Sequence, residues 1–319
     1  DEDTAVFRRI FLSDAANQAA PVRASRLCAE RGSGPVAVSI VQQPPLPGSK
    51  VALLAYHVAG EGTRKHRYSP NHMVVERNGV RHLWSTALCA GETKAPTAVE
   101  TQTRKVFDAL TATLSDAGST LAENCVRTWL YVKDVDVFYR GMVEARGALF
   151  REHGLTEATH YIASTGIEGA CAHQYDLVLM DAYSLLDIEP QQTSYLQALD
   201  KLCPTKAYNV HFERGTKISF GDRAHHYISG TASIDSGGHV VHSGNVGRQL
   251  DRALDNVDAL LAAGGARLAD MTHLLVYLRD SADYERIRSA LDERMPGIPA
   301  VYLKAPVCRP EWLVEVEGI

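Results

Sequence analysis

The richest chemistry in the chain lies in residues 299–319, PAVYLKAPVCRPEWLVEVEGI. Its second half alternates strictly, so Leu313, Glu315 and Glu317 share one face of a strand while Trp312, Val314 and Val316 share the other. A carboxylate at the end of a compact domain is either a solvated outer-face group or an acid held in a cleft. Held among apolar neighbours, a glutamate keeps its proton near neutral pH and can serve as a general acid. Glu315 and Glu317 are both candidates at this point. Arginine is the natural bidentate partner of a carboxylate. Arg127 shares a strand face with Trp129 and Tyr131, and Arg146 lies on the helix that follows.

Other chemistries find little support. His66 and His72 stand six apart on a polar loop and would need a third ligand from elsewhere. The remaining histidines form no ligand spacing, so no metal is expected. The six cysteines (28, 89, 125, 171, 203 and 308) contain no CxxC, which argues against a disulfide framework or a zinc knuckle and fits a reduced, cytoplasmic setting. Ser236-Gly237-Gly238 reads as a hairpin turn and not a phosphate loop, and no cofactor is expected. A net charge of −5 gives no general attraction to nucleic acid. No apolar run approaches the roughly 18 residues of a membrane span.

The chain of 319 residues is long enough for two domains. Strands are expected at 36–40 and 51–57, a hairpin about Asn78-Gly79, helices over 97–117 and 135–153 with a strand at 126–132 between them, and extended segments at 160–167 and 175–182. Residues 1–35 read as a short strand or arm. From residue 208 the order begins again. Gln102–Gly118 aligns without a gap on Gln249–Gly265, and RTWLYVKD (127–134) aligns on HLLVYLRD (273–280). Cys171 precedes Val178 by seven residues, as Cys308 precedes Glu315, which sets Val178 where the second copy carries its acid. The expected boundaries are an N-terminal domain with its extension over 1–190, a connector over 191–207 and a C-terminal domain over 208–319.

The second copy resembles the Rid/YjgF family in its strand-end Ser229-Gly230, its helix closed by a glycine pair, its VYLRD strand and its closing LVEVE. The resemblance implies an α+β fold of two tandem Rid/YjgF-like (chorismate-mutase-like) domains, each a mixed sheet covered on one face by two helices. It also implies ligand clefts between units and a trimeric habit, so a duplicated chain is expected as a monomer or a homotrimer. Imine hydrolysis in that family uses an arginine directly after a Pro-Ala pair. Here Val301 follows Pro299-Ala300, which argues against that activity.

A tandem branch, the chorismatases, is more similar. Its pattern resembles Arg127-Thr128-Trp129 with Tyr131, then Tyr139, Arg140 and Arg146, Thr165-Gly166-Ile167, Pro204-Thr205 with Tyr208, and Cys308-Arg309 ahead of LVEVEG. The resemblance covers about residues 80–319. It implies that Glu315 is the catalytic acid, that Cys308 favours 3-hydroxybenzoate as product, and that the substrate is a small carboxylate such as chorismate. Arg127, Tyr131, Arg146, Tyr208, Ser229 and Gly230 are then the candidate substrate-binding residues. The other readings are a tandem Rid-type hydrolase of an imine or enamine, and a non-catalytic binder of small metabolites.

Overall fold

The N-terminal stretch folds around β1 (Ala5–Leu12), a strand with every residue buried. The helix α1 (Ala15–Arg23), capped by Asp14, carries the chain across to β2 (Ala37–Gln42), which runs parallel to β1. A parallel pair needs such a crossover. Then β3 (Val51–His57) returns antiparallel on the other side, giving the order β2-β1-β3. Of the short strand or arm expected over residues 1–35, the structure has the strand, and it is the centre of a sheet. Arg8 and Arg9 interrupt its apolar pattern, but each finds a partner: Arg8 donates to the Leu27 carbonyl at 3.0 Å and Arg9 to Asp181 at 2.9 Å. The computed structural model describes residues 4–30, 34–91, 95–205 and 210–319.

The first full domain comprises β4 (Arg64–Ser69), β5 (His72–Arg77), β6 (Val80–Leu88), α2 (Val99–Asp116), the single turn α3 (Leu121–Asn124), β7 (Cys125–Val132), α4 (Val135–Glu152), β8 (Ala163–Glu168) and β9 (Val178–Leu185). Its sheet runs β4-β5-β6-β9-β7-β8, with only β7 and β8 parallel. The second comprises β10 (Thr193–Tyr195), β11 (Gly215–Phe220), β12 (Arg223–Ala232), α5 (Val246–Ala263), β13 (Leu274–Leu278), α6 (Tyr284–Arg294), β14 (Ala300–Lys304) and β15 (Val314–Gly318). Its order, β10-β11-β12-β15-β13-β14, repeats the first strand for strand. The helices α2 and α5 are each followed by a glycine in the left-handed region, Gly118 (φ 73°) and Gly265 (φ 83°), where a side chain would be strained. Val106, Phe107, Leu110 and Leu114 of α2 pack with Met142 and Phe150 of α4 over Leu130 and Val132. In the second domain α5 covers the same face with Leu250, Leu254, Val257 and Leu261.

The strand register corrects one alignment. Tyr131 lies opposite Leu179 and Tyr277 lies opposite Glu315, so the first-domain counterpart of Glu315 is Leu179 and not Val178. A one-residue slip reverses the face of a strand, and equal spacing across a loop does not fix the register beyond it. By the same pairing Asp181 is the counterpart of Glu317.

The N-terminal sheet repeats the connectivity of the last elements of each full domain: a central strand, a crossover helix, a parallel neighbour and an antiparallel return. The three sheets meet pairwise. β8 packs on β12 and β2 on β6, and the segment after β2 bonds to β14 through Leu46 N to Tyr302 O (2.9 Å) and Lys304 N to Pro44 O (2.8 Å).

Candidate active site

The alternation of β15 sends Val314 and Val316 into the helix-packed core and turns Glu315 and Glu317 toward the first domain. Trp312 anchors the approach by donating its indole N–H to the Ser233 carbonyl at 2.9 Å. The two acids then part company. Glu317, 2 % exposed, accepts on Oε1 from Tyr277 (2.8 Å) and Trp129 Nε1 (3.0 Å), and on Oε2 from Arg127 Nη2 (2.5 Å) and the Thr165 hydroxyl. Four donors fill a carboxylate's acceptor capacity.

Glu315, 6 % exposed, instead borders a cavity of about 200 Å³ between the domains. Burial, helped by the neighbouring Glu317 charge and opposed by Arg214 and Arg127, pushes its pKa from the usual 4.5 up to about 8. Gly230 makes its seat. It sits where the pairing of β12 with β15 shifts register between Ile228 and Thr231, and a Cβ there would overlap Oε1 of Glu315.

Three arginines border the same cavity, each steadied from behind. Arg146, on the buried face of α4, donates to Ser164 Oγ at 3.3 Å and lies over the Phe150 ring. Arg214, just before β11, donates to the Cys203 carbonyl at 3.1 Å and lies over Phe212. Arg309 donates to the Gly238 carbonyl at 3.2 Å and stacks 4.7 Å above Trp312. Tyr139, Ser164 and Thr165 add hydroxyls from the first domain, and Val210, Ala232 and Ile234 add apolar surface from the second. Such a space can hold a small polyanion beside a proton donor.

Of the residues singled out in the sequence, Glu315, Cys308, Arg146 and Gly230 border this cavity. Ser229 stands behind its wall, accepting from Ser164 N (2.9 Å) and donating to the Glu213 carbonyl (2.6 Å), and so joins the two domains. Arg127 does not border it: its guanidinium is engaged by Glu317, Thr165 and the carbonyls of Thr128 and Ile228. Tyr131 is buried against Gly169, with the Arg9 guanidinium 5.7 Å from its ring. Tyr208 lies outside the described residues. Burial, reinforced by the nearby Glu315, pushes the Cys308 thiol up to about 12, and Tyr139 hydrogen-bonds it. That thiol stays protonated and is a poor nucleophile. Arg140 is a surface residue paired with Glu144. Arg214 and Phe212 went unnoticed in the sequence. Their one signal is the alternation Phe212-Glu213-Arg214 ahead of a strand. Among the described residues no group of three or more His, Cys, Asp or Glu is placed to hold a metal ion, and no helix is long and apolar enough to cross a membrane.

The Endoribonuclease L-PSP family model matches residues 219–319. A protein of Streptomyces hygroscopicus named chorismatase is 30 % identical over 210 residues, a match covering 60 % of this chain and 60 % of that protein's length. A second protein of that organism, 3-hydroxybenzoate synthase, is 25 % identical over 268 residues, 76 % of this chain and 77 % of the relative. A crystal structure of a chorismatase superimposes on the whole chain and on 93 % of its own, with a TM-score of 0.72 at 19 % identity. The chain is a chorismatase-like protein of tandem Rid fold. The full-length superposition takes in the N-terminal sheet, the part of the chain that matched the sequence pattern least. Within a chorismatase-like frame, the Glu315 cavity lies on the seam where β8 of one repeat meets β12 of the other.

Proposed function

We propose that the protein cleaves the enol-pyruvyl ether of chorismate, releasing pyruvate and a hydroxybenzoate, with Glu315 as the general acid. The observation that carries this reading is a buried carboxyl held protonated near neutral pH at the edge of a cavity bordered by three arginines. Chorismate is a dicarboxylate whose departing fragment is a vinyl ether. The difficult step is protonation of the terminal vinyl carbon, which is a poor base. A carboxyl at about 8 still carries its proton at neutral pH, close to where a general acid works best. The π pair forms the new C–H bond and positive charge develops on the ether carbon. Arg146, Arg214 and Arg309 hold the two carboxylates.

Two outcomes follow from that cation. Breaking the ring C3–O bond releases pyruvate; if the C4 hydroxyl oxygen attacks C3 as that bond breaks, giving its proton back to Glu315, the oxygen bridge then opens at C4 with transfer of the C3 proton to oxygen. That leaves 3-hydroxybenzoate, so that the two products together contain every atom of chorismate. Addition of water gives pyruvate and a dihydrodiol. The first is favoured here by Cys308 at the position seven before the acid and by the likeness to a 3-hydroxybenzoate synthase. The purified protein incubated with chorismate is expected to release pyruvate and 3-hydroxybenzoate in equal amounts, resolved by chromatography. A dihydrodiol would overturn the product assignment. Absence of pyruvate from folded protein would overturn the reading as a whole.

A further inference from the structure

A second cavity of the molecule has no part in this chemistry. It measures about 430 Å³, shares no bordering residue with the Glu315 cavity, and opens where the three sheets come together. β3 supplies Tyr56 and His57, the β5–β6 hairpin supplies Arg77, His82 and Trp84, and the β11–β12 hairpin supplies Phe220 and Arg223. Cavities of this size at the junction of folded units are where small ligands bind.

Its surfaces are aromatic and its charge is positive. The nearly buried Trp84 indole closes its inner end, packed against Phe7 and Tyr183, each at 4.6 Å, and flanked by Tyr56 at 5.6 Å. The rings of His82 and Phe220 lie within 26° of parallel at the side, 6.1 Å apart. Arg77 is pinned by the loop ahead of β4: it donates to Thr63 Oγ1 at 2.8 Å and lies against Gly60, whose positive φ and missing Cβ leave it room. Arg223 lies 5.1 Å from the Phe220 ring centre and donates to Asp222 at 2.8 Å. Asp222 is the only carboxylate bordering the cavity among the described residues, and Arg77 makes no ion pair among them. His82 engages the Tyr183 hydroxyl through Nδ1 at 2.6 Å, and burial holds its pKa down at about 4, so at neutral pH it adds no charge. One positive charge is therefore left uncompensated beside a set of flat ring faces.

We infer that this junction is a second ligand site, separate from the Glu315 cavity, that takes a planar aromatic monocarboxylate. The ring of the ligand stacks on Phe220, and its carboxylate is met by Arg77 and Arg223. Because the walls belong to three units, an occupant ties them together and raises the stability of the whole chain by mass action.

Benzoate titrated into the full chain by calorimetry tests this. It is expected to bind wild-type protein and Arg146→Ala with equal affinity, and the Arg77→Ala/Arg223→Ala double variant at least tenfold more weakly. Cyclohexanecarboxylate, with the same charge and no ring face, is expected to bind at least fivefold more weakly than benzoate. Saturating benzoate should raise the melting temperature of wild-type protein and leave that of the double variant unmoved. Arg223→Ala alone, a change at an exposed residue, keeps the test open should the double variant misfold. Equal binding by wild type and the arginine variants, loss of binding in Arg146→Ala, or no binding of millimolar benzoate would each overturn the inference.

Discussion

Oε2 of Glu317 accepts Nη2 of Arg127 at 2.5 Å, in an ion pair buried on both sides that joins the last strand of the second domain to β7 of the first. Asp181, the first-domain counterpart of Glu317, makes the same kind of bond to Arg9 of the N-terminal sheet at 2.9 Å. Each full domain thus offers a carboxylate at one strand position to an arginine from the preceding unit. Two residues before Glu317 on the same face, Glu315 makes no such ion pair among the described residues and borders the cavity.

Arg127 was the leading candidate for holding a substrate carboxylate, and its engagement by Glu317 changes what its removal should do. Arg127→Ala leaves a buried carboxylate uncompensated, which costs about 3–5 kcal/mol. Urea unfolding should show a loss of that order. KM for chorismate, measured on the folded fraction, should move only a few-fold.

Arg146→Ala and Arg214→Ala are expected to behave the opposite way. A hydrogen bond to a charged group contributes roughly 1.5–3 kcal/mol, so each change should weaken chorismate binding by about 10–100-fold. Steady-state kinetics should show this chiefly as a raised KM, with unfolding midpoints close to wild type for Arg214→Ala.

Gly230→Ala places a methyl group where the Glu315 carboxyl now rests. The backbone there is not in the left-handed region, so the fold should tolerate the change while the acid is pushed aside. A displacement of about 1 Å at a reacting group can cost on the order of 100-fold in rate. The expected result is a kcat reduced to that extent, with stability lowered by about 1–3 kcal/mol because the same methyl presses on the buried Thr165 side chain.

Glu315 also predicts how stability depends on pH. Its carboxyl titrates at the ordinary 4.5 when exposed and at about 8 in the folded chain, so over that window the folded state holds a proton that the unfolded state has lost. Stability from this group is complete below about 4.5, falls as pH rises, and levels off above about 8. The slope is about 1.4 kcal/mol per pH unit for one such proton. Glu315→Gln lacks this term, so its stability relative to wild type should increase across the window, as read from parallel urea titrations.

Much of this was legible in the sequence because the chain repeats itself. The helix pairs, the aligned LYV and VYL strands and the alternation in LVEVE marked the repeat and put both glutamates on one face. Alternation could not distinguish Glu315 from Glu317, since their difference lies in partners that come from the first domain. Nor could spacing see the register of β9, where Leu179 stands opposite Tyr131. The N-terminal sheet was hidden by Arg8 and Arg9, whose charges read as surface until their partners, the Leu27 carbonyl and Asp181, are in place. Arg214 was missed for a related reason: it reaches the cavity from a short non-repeated segment before β11, outside every motif.

The most direct test compares pyruvate release from chorismate by wild-type protein and by Glu315→Gln across the pH range. Wild-type turnover should be steady through neutrality and fall tenfold per pH unit above about 8 as Glu315 loses its proton. The glutamine variant should fold normally and turn over at least 100-fold more slowly, within the usual worth of a positioned general acid. Pyruvate release by Glu315→Gln at the wild-type rate would contradict the assignment of the proton donor.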